Sequence, residues 1–129
     1  MNEIIQVVCA IIEKEGKFLA ARKAAGLSNE GLWEFPGGKI NRGESPEQAL
    51  VREIKEEINI EIKIRKSLSP VIYHYPEKSI KLIPFICTFT EGSPEALEHE
   101  QIVFVNGNEA QDLEWAPADI PVLKEYLQN

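Results

Sequence analysis

Glu53, Glu56 and Glu57 fall close together in Arg52-Glu53-Ile54-Lys55-Glu56-Glu57, and their spacing decides what they can do. On a helix from Pro46 to Ile58, successive residues step by about 100°, which gathers these three acids on one face, Glu53 and Glu57 a turn apart. Leu50, Val51, Ile54 and Ile58 form a separate apolar stripe that suits packing on a sheet. Like charges one turn apart cost a bare helix a few tenths of a kcal/mol, and these acids sit away from the N-terminal end where the helix dipole favours them. Two readings follow. A solvated acidic helix laced with pairs such as Arg52 to Glu56 would carry the same letters. A site for hard divalent cations would use them, because Mg²⁺ takes oxygen ligands, keeps several waters and typically binds a few carboxylates together with substrate phosphates.

The elements that must position these acids can be read from local signals. Ser45 suits an N-cap, Pro46 the first helical position, and Gln48 completes an S-x-x-Q capping box. Asn59 tolerates the left-handed backbone that ends a helix. Ile4 to Glu13 and Lys17 to Ala21 flank Glu15-Gly16 and predict a hairpin, with Leu32 to Phe35 a third short apolar run. Ile60 to Ile64, Val71 to Tyr75, Ser79 to Thr90 and Gln101 to Val105 favour further strands, and Pro84 argues for an edge or a bulge. Asn108 to Leu113 predicts a short helix, and Pro117 starts a final one to about Leu127 with Ile120, Leu123 and Leu127 on one face. Strands outnumber helices without strict alternation, so the expected class is α+β, a mixed sheet covered by two or three helices.

Composition narrows the partners. A chain of 129 residues, 43% hydrophobic and 27% charged, suits one compact domain over 1–129. Its net charge of −7 opposes sequence-independent binding to nucleic acid or anionic lipid, so a polyphosphate partner must bring cations or meet a local basic patch. Cys9 and Cys87 lie in apolar runs and read as buried thiols of a reduced, cytoplasmic compartment. The longest apolar stretch, Ile4 to Ile12, is broken by Gln6 and follows Glu3, which suits neither a membrane span nor a signal peptide.

Gly38-Lys39-Ile40-Asn41-Arg42-Gly43-Glu44, followed seven residues later by Arg52-Glu53-Ile54-Lys55-Glu56-Glu57-Ile58-Asn59-Ile60, resembles the Nudix box, G-x5-E-x7-R-E-U-x-E-E-x-G-U with U apolar. Six fixed matches at one start arise by chance about once in 10⁷ to 10⁸ at ordinary residue usage. Asn59 replaces the family's glycine, which implies slight local strain and intact chemistry. Trp33-Glu34-Phe35-Pro36-Gly37-Gly38-Lys39 resembles the lead-in of the MutT-like nucleoside triphosphate pyrophosphohydrolases, and Ala116-Pro117-Ala118-Asp119-Ile120-Pro121 the final-helix start of the CTP pyrophosphohydrolase branch.

The resemblance implies the Nudix fold and Mg²⁺-dependent hydrolysis (Mn²⁺ being the alternative ion) of a nucleoside triphosphate to monophosphate and pyrophosphate. It makes Glu53, Glu56 and Glu57 metal ligands, with the Gly37 carbonyl completing a shell and Glu53 orienting or deprotonating the attacking water. Arg52 becomes a clamp on Glu53 and Glu44. Glu98 is either one more carboxylate for metal or base duty or plain surface charge. Arg22, Lys23 and Lys39 would contact phosphates, while Glu34 and Phe35 would bind the nucleoside. Asp119 would accept from an exocyclic amino group, as on cytosine or guanine, unless it is simply an early-turn acid favoured by the dipole. Two substrates stay open, oxidised purine nucleotides such as 8-oxo-dGTP and CTP or dCTP with their modified forms. A non-catalytic nucleotide-sensing module would usually have lost a box acid, and none is missing. The expected partners are a nucleotide alone, with no nucleic acid or membrane, and a monomer or homodimer. His74 and His99 lack partners spaced for zinc and read as exposed or structural.

Overall fold

The computed structural model describes residues 3–128. Its elements in chain order are β1 (Ile4–Lys14), β2 (Lys17–Arg22), β3 (Trp33–Glu34), β4 (Gly37–Lys39), α1 (Pro46–Ile58), β5 (Glu61–Ser67), β6 (Val71–His74), β7 (Ser79–Glu91), β8 (Gln101–Val105), α2 (Gly107–Gln111) and α3 (Asp119–Gln128). The strands make one mixed sheet in the order β3-β2-β1-β7-β5, with β4 also on β1, β6 also on β7 and β8 on β2. β1 and β7 run parallel over ten residue pairs, Ile4 to Glu13 against Ser79 to Thr88, and the other strand pairs are antiparallel. Glu15 and Gly16 connect β1 to β2 with φ of 52° and 80°, the two left-handed residues that a tight hairpin turn demands.

Period-two alternation splits the core into two layers. Cys9 and Ile11 of β1, Phe18 and Ala20 of β2, and Leu82 and Ile86 of β7 pack on one face against Ala118, Val122 and Leu123. Val8, Ala10 and Ile12, Leu19 and Ala21, and Phe85 and Cys87 point the other way onto Ala49, Leu50, Ile54 and Ile58 of α1. The sheet is therefore sandwiched between α1 and α3. Cys9 and Cys87 are free and buried on opposite faces. Among the described residues, no helix is long and apolar enough to cross a membrane.

Two local expectations need correction. Pro84 is not on an edge strand, because β7 pairs on both sides. It stands where the second partner changes from β6 to β5, Leu68 N donating to its carbonyl at 3.0 Å, and a register irregularity follows between Ile64 and Lys66 of β5, opposite Ile86 and Cys87. A missing N–H is tolerated at such a switch. The final helix begins at Asp119 and buries Asp119, Val122 and Leu123, whereas Ile120 and Leu127 are exposed. Val51, partly buried, packs against the same cluster as expected, and Glu57 is buried beside Ile58. β4 lies outside those readings and joins the sheet through two glycines that no propensity would favour.

Candidate active site

The acids of α1 are held by the way that helix begins and ends. Ser45 Oγ accepts from Gln48 N at 3.1 Å and Gln48 Oε1 accepts from Ser45 N at 2.9 Å, closing the capping box. Asn59 ends the helix in the left-handed region, φ 64° and ψ 37°, its N–H donating to Lys55 O. The segment of residues 92–100 then crosses that end, and Glu95 N and Leu97 N donate to the free carbonyls of Ile58 and Glu57. Glu100 N anchors the segment's far end on Arg22 O at 3.0 Å. These bonds carry Glu98 and His99 up to the acidic face.

Arg52 organises one side of the cluster. Its Nε and Nη2 donate to the two oxygens of Glu44 at 2.7 and 2.9 Å, a bidentate fork that only a guanidinium makes. Nη1 donates to Glu53 Oε1 at 2.8 Å and, more weakly, to Glu56 Oε1 at 3.3 Å, and Nη2 reaches Lys39 O. The Arg52 hydrogen bonds, with a further one from Asn41 N, hold the Glu44 carboxyl below its usual range. On the other side Glu57 has its side chain 7% exposed. Burial first, then its hydrogen bond with Glu53 and the fields of Glu53, Glu34 and Glu98, push its pKa up to about 10. Two such carboxylates cannot both stay charged without a shared proton or a cation between them.

Across the cluster lies β4. Gly38 packs so tightly that a Cβ there would overlap the Glu53 carboxylate, and one on Gly37 would overlap the Val8 carbonyl oxygen. Main chain thus approaches the acids as closely as glycine allows. Among the described residues no three or more His, Cys, Asp or Glu side chains are already arranged around an ion. Arg52 and the Glu53–Glu57 bond hold the acids in their present arrangement, while the donor set itself, clustered glutamate oxygens with the Gly38 main chain close against them, is that of a hard divalent cation.

Next to the acids opens a cavity of about 380 Å³ whose walls include Cys9, Lys23, Asn29, Glu34, Tyr75 and Asp119. Trp33 N donates to Glu114 O and Ala116 N to Trp33 O, each at 2.8 Å, which pins the start of α3 beside β3. Asp119, 6% exposed, thereby accepts from Phe35 N at 2.9 Å. Burial pushes its carboxyl well above the ordinary range, Glu34 adds to the rise, and the Phe35 bond works against both.

A NUDIX domain model matches residues 3–128. The chain belongs to the Nudix family. A CTP pyrophosphohydrolase of Escherichia coli K12 is 38% identical over 125 residues, 97% of this chain and 93% of that enzyme. An 8-oxo-dGTP diphosphatase of the same strain is 34% identical over 122 residues, 92% of this chain and 93% of the relative. The crystal structure of a MutT protein from Methanosarcina mazei superposes with a TM-score of 0.86 at 28% identity, covering 98% of this chain and 94% of that one. The chain is a Nudix hydrolase, and Nudix hydrolases generally need divalent metal ions.

Within this Nudix fold, the structure brings Glu44, Arg52, Glu53, Glu56 and Glu57 together, with Glu98 exposed close enough to raise the Glu57 pKa. Gly37, Lys23, Glu34, Phe35 and Asp119 all line the cavity. Arg22 and Lys39 do not. Arg22 Nε is bonded to Gly31 O at 3.1 Å and lies 3.8 Å from Glu100, and Lys39 lines a separate groove with Ile4, Gln6 and Glu44. Sequence reasoning missed Tyr75, Asn29 and Cys9 as cavity walls; for Cys9 the alternation along β1 was the available signal. Of the two readings of His99, exposed or structural, the second is the one found: its side chain is 5% exposed, with Nε2 2.9 Å from Glu34 Oε2.

Proposed function

We propose that this Nudix hydrolase is a single catalytic domain over 1–129 that splits nucleoside triphosphates into monophosphate and pyrophosphate, with Mg²⁺ as the resident ion and Mn²⁺ able to replace it. The supporting observation is the junction of two sites: a cluster of glutamates that suits a hard cation, joined through Glu34 to a cavity walled by Lys23, Phe35 and the buried carboxyl of Asp119. Glu53, Glu56 and Glu57, with Glu98 and the Gly37 carbonyl, would hold the ion. Once bound, the ion neutralises phosphate charge and lowers the pKa of the attacking water. Arg52 keeps Glu53 aimed while tied to Glu44. Glu53 and the exposed Glu98 would orient the attacking water and take its proton. Lys23 at the cavity wall meets phosphate, and Glu34, Phe35 and Asp119 hold the nucleoside.

For the base, the first reading is removal of oxidised nucleotides such as 8-oxo-dGTP, in line with the diphosphatase relatives. The second reading, CTP and dCTP with modified pyrimidines, is favoured by the pyrophosphohydrolase that covers 97% of this chain and by Asp119, whose carboxyl oxygen can accept from the cytosine amino group. The net charge of −7 supports a small nucleotide as partner, without nucleic acid or membrane, for a monomer or homodimer. Two free buried thiols support a cytoplasmic setting.

Pyrophosphate release over a panel containing 8-oxo-dGTP, CTP and 5-methyl-dCTP tests the reading. Turnover of one or more, lost by orders of magnitude in a folded Glu53→Gln variant, is the expected result. Tight binding without product across metals and pH would make the protein a sensing module instead.

A further inference from the structure

The roles above leave His99 unused, although it fills the wall between the cavity and the acidic face of α1. Its Nε2 lies 2.9 Å from Glu34 Oε2 and 3.8 Å from Glu57 Oε1, and its side chain is 5% exposed. Its Nδ1 is buried and, among the described residues, has no hydrogen-bond partner. A hydrogen on Nδ1 would be an N–H buried with nothing to accept it, whereas one on Nε2 meets a carboxylate at hydrogen-bond distance. The geometry therefore makes Nε2 the donor and Glu34 the acceptor. The ring is placed from outside itself: Leu97 N on Glu57 O and Glu100 N on Arg22 O tie down the chain on both sides of it.

Glu34 needs such a donor. It lines the cavity near the buried Asp119 and Glu57, each raised in pKa by its negative field, and its cationic neighbour, Lys23 Nζ, is 4.0 Å away. Without the imidazole N–H, the Glu34 carboxylate would lose its donor at 2.9 Å and could turn toward Lys23, altering the cavity wall.

We propose that His99 is a positioning residue that holds Glu34 through Nε2–H and spaces it from Glu57, so that the nucleoside end of the cavity and the acid cluster keep one geometry. This deepens the nucleotide-hydrolysis reading and rests on it. A side chain of this kind acts through the group it orients, and losses of 10- to 100-fold are typical when such support is removed from a metal site.

The test combines kinetics with a readout on the resting protein. His99→Gln can return an N–H near the Nε2 position, and His99→Leu fills comparable space without a donor. His99→Leu should lower kcat/KM by about 10- to 100-fold, with KM raised and kcat reduced, and His99→Gln should recover most of it. In a Glu34→Gln background the same leucine substitution should cost no more than about threefold, because the route through Glu34 is already cut. Nitrogen–proton correlation spectra of the metal-free wild type should show the His99 hydrogen on Nε2, with its shift moving in Glu34→Gln. The proposal is overturned by a hydrogen on Nδ1, by an Nε2 shift indifferent to Glu34→Gln, by equal losses in the glutamine and leucine variants, or by a leucine cost independent of Glu34. If His99→Leu does not fold, His99→Gln and the spectra decide alone. A wild type that hydrolyses no nucleoside triphosphate would refute the functional reading separately, and the spectra would still judge the His99–Glu34 link.

Discussion

Replacing Glu57 by glutamine should stabilise the metal-free protein while abolishing its chemistry. Burial and the neighbouring Glu53 raise the Glu57 pKa from its ordinary 4.5 to about 10, so the folded state keeps a proton that the unfolded state releases between those values. With more protons bound to the folded state, stability falls as pH rises through that window. At pH 7 the cost is set by the distance from 4.5 to 7, about 2.5 units at about 1.36 kcal/mol each, or about 3 kcal/mol. Glutamine mimics the protonated acid, donating to Glu53 with no proton to retain. Glu57→Gln should therefore gain about 3 kcal/mol at pH 7, roughly 10 °C in Tm for a domain of this size, and under about 1 kcal/mol at pH 5. Calorimetric melts in chelator at both pH values measure this, and a divalent cation should narrow the gap by stabilising only the wild type. A variant no more stable than wild type at pH 7, or an advantage that does not shrink toward pH 5, would refute the buried-pair argument.

Three further outcomes follow from the same geometry. Arg52→Lys loses the fork on Glu44 and the hold on Glu53, and steady-state kinetics should show kcat/KM down about 10- to 100-fold with the melting temperature little changed. Gly38→Ala pushes a methyl into the flexible Glu53 side chain, so a folded protein with activity reduced at least about tenfold is expected, whereas Gly37→Ala meets Val8 main chain and should cost about 2 kcal/mol or more in urea melts. Asp119→Asn can still accept from Phe35 N, and because burial raises the acid's pKa, its stability relative to wild type should grow from pH 4 toward neutrality; a pH-independent difference would be contrary.

The box acids, the Ser45–Gln48 cap, the Glu15-Gly16 turn and the left-handed Asn59 were legible because each depends on neighbours in sequence. The parts that were not legible depend on distant backbone. β4 forms because Val7 to Cys9 offer a free ladder and two glycines permit the approach. Asp119 was expected at the base site from the resemblance, but what seats it there, the Trp33–Trp115 bridge that pins the start of α3, joins residues far apart in sequence. His99 is buried because the segment before β8 caps α1, and nothing in Leu97-Glu98-His99-Glu100 announces that contact. Basic residues misled for the same reason: Arg22 and Lys39 are near the site in sequence, yet Arg22 is engaged by Gly31 O and Lys39 faces another groove.

The account stands on the acids of α1 receiving a divalent cation together with a triphosphate. Anomalous diffraction from crystals soaked with Mn²⁺ and a non-hydrolysable nucleoside triphosphate examines that directly. The account predicts a manganese peak bounded by Glu53, Glu56, Glu57 and the Gly37 carbonyl, with phosphate oxygens on its open side and the base in the cavity beside Asp119. A peak elsewhere, or a triphosphate seated with no ion among those glutamates, would contradict it.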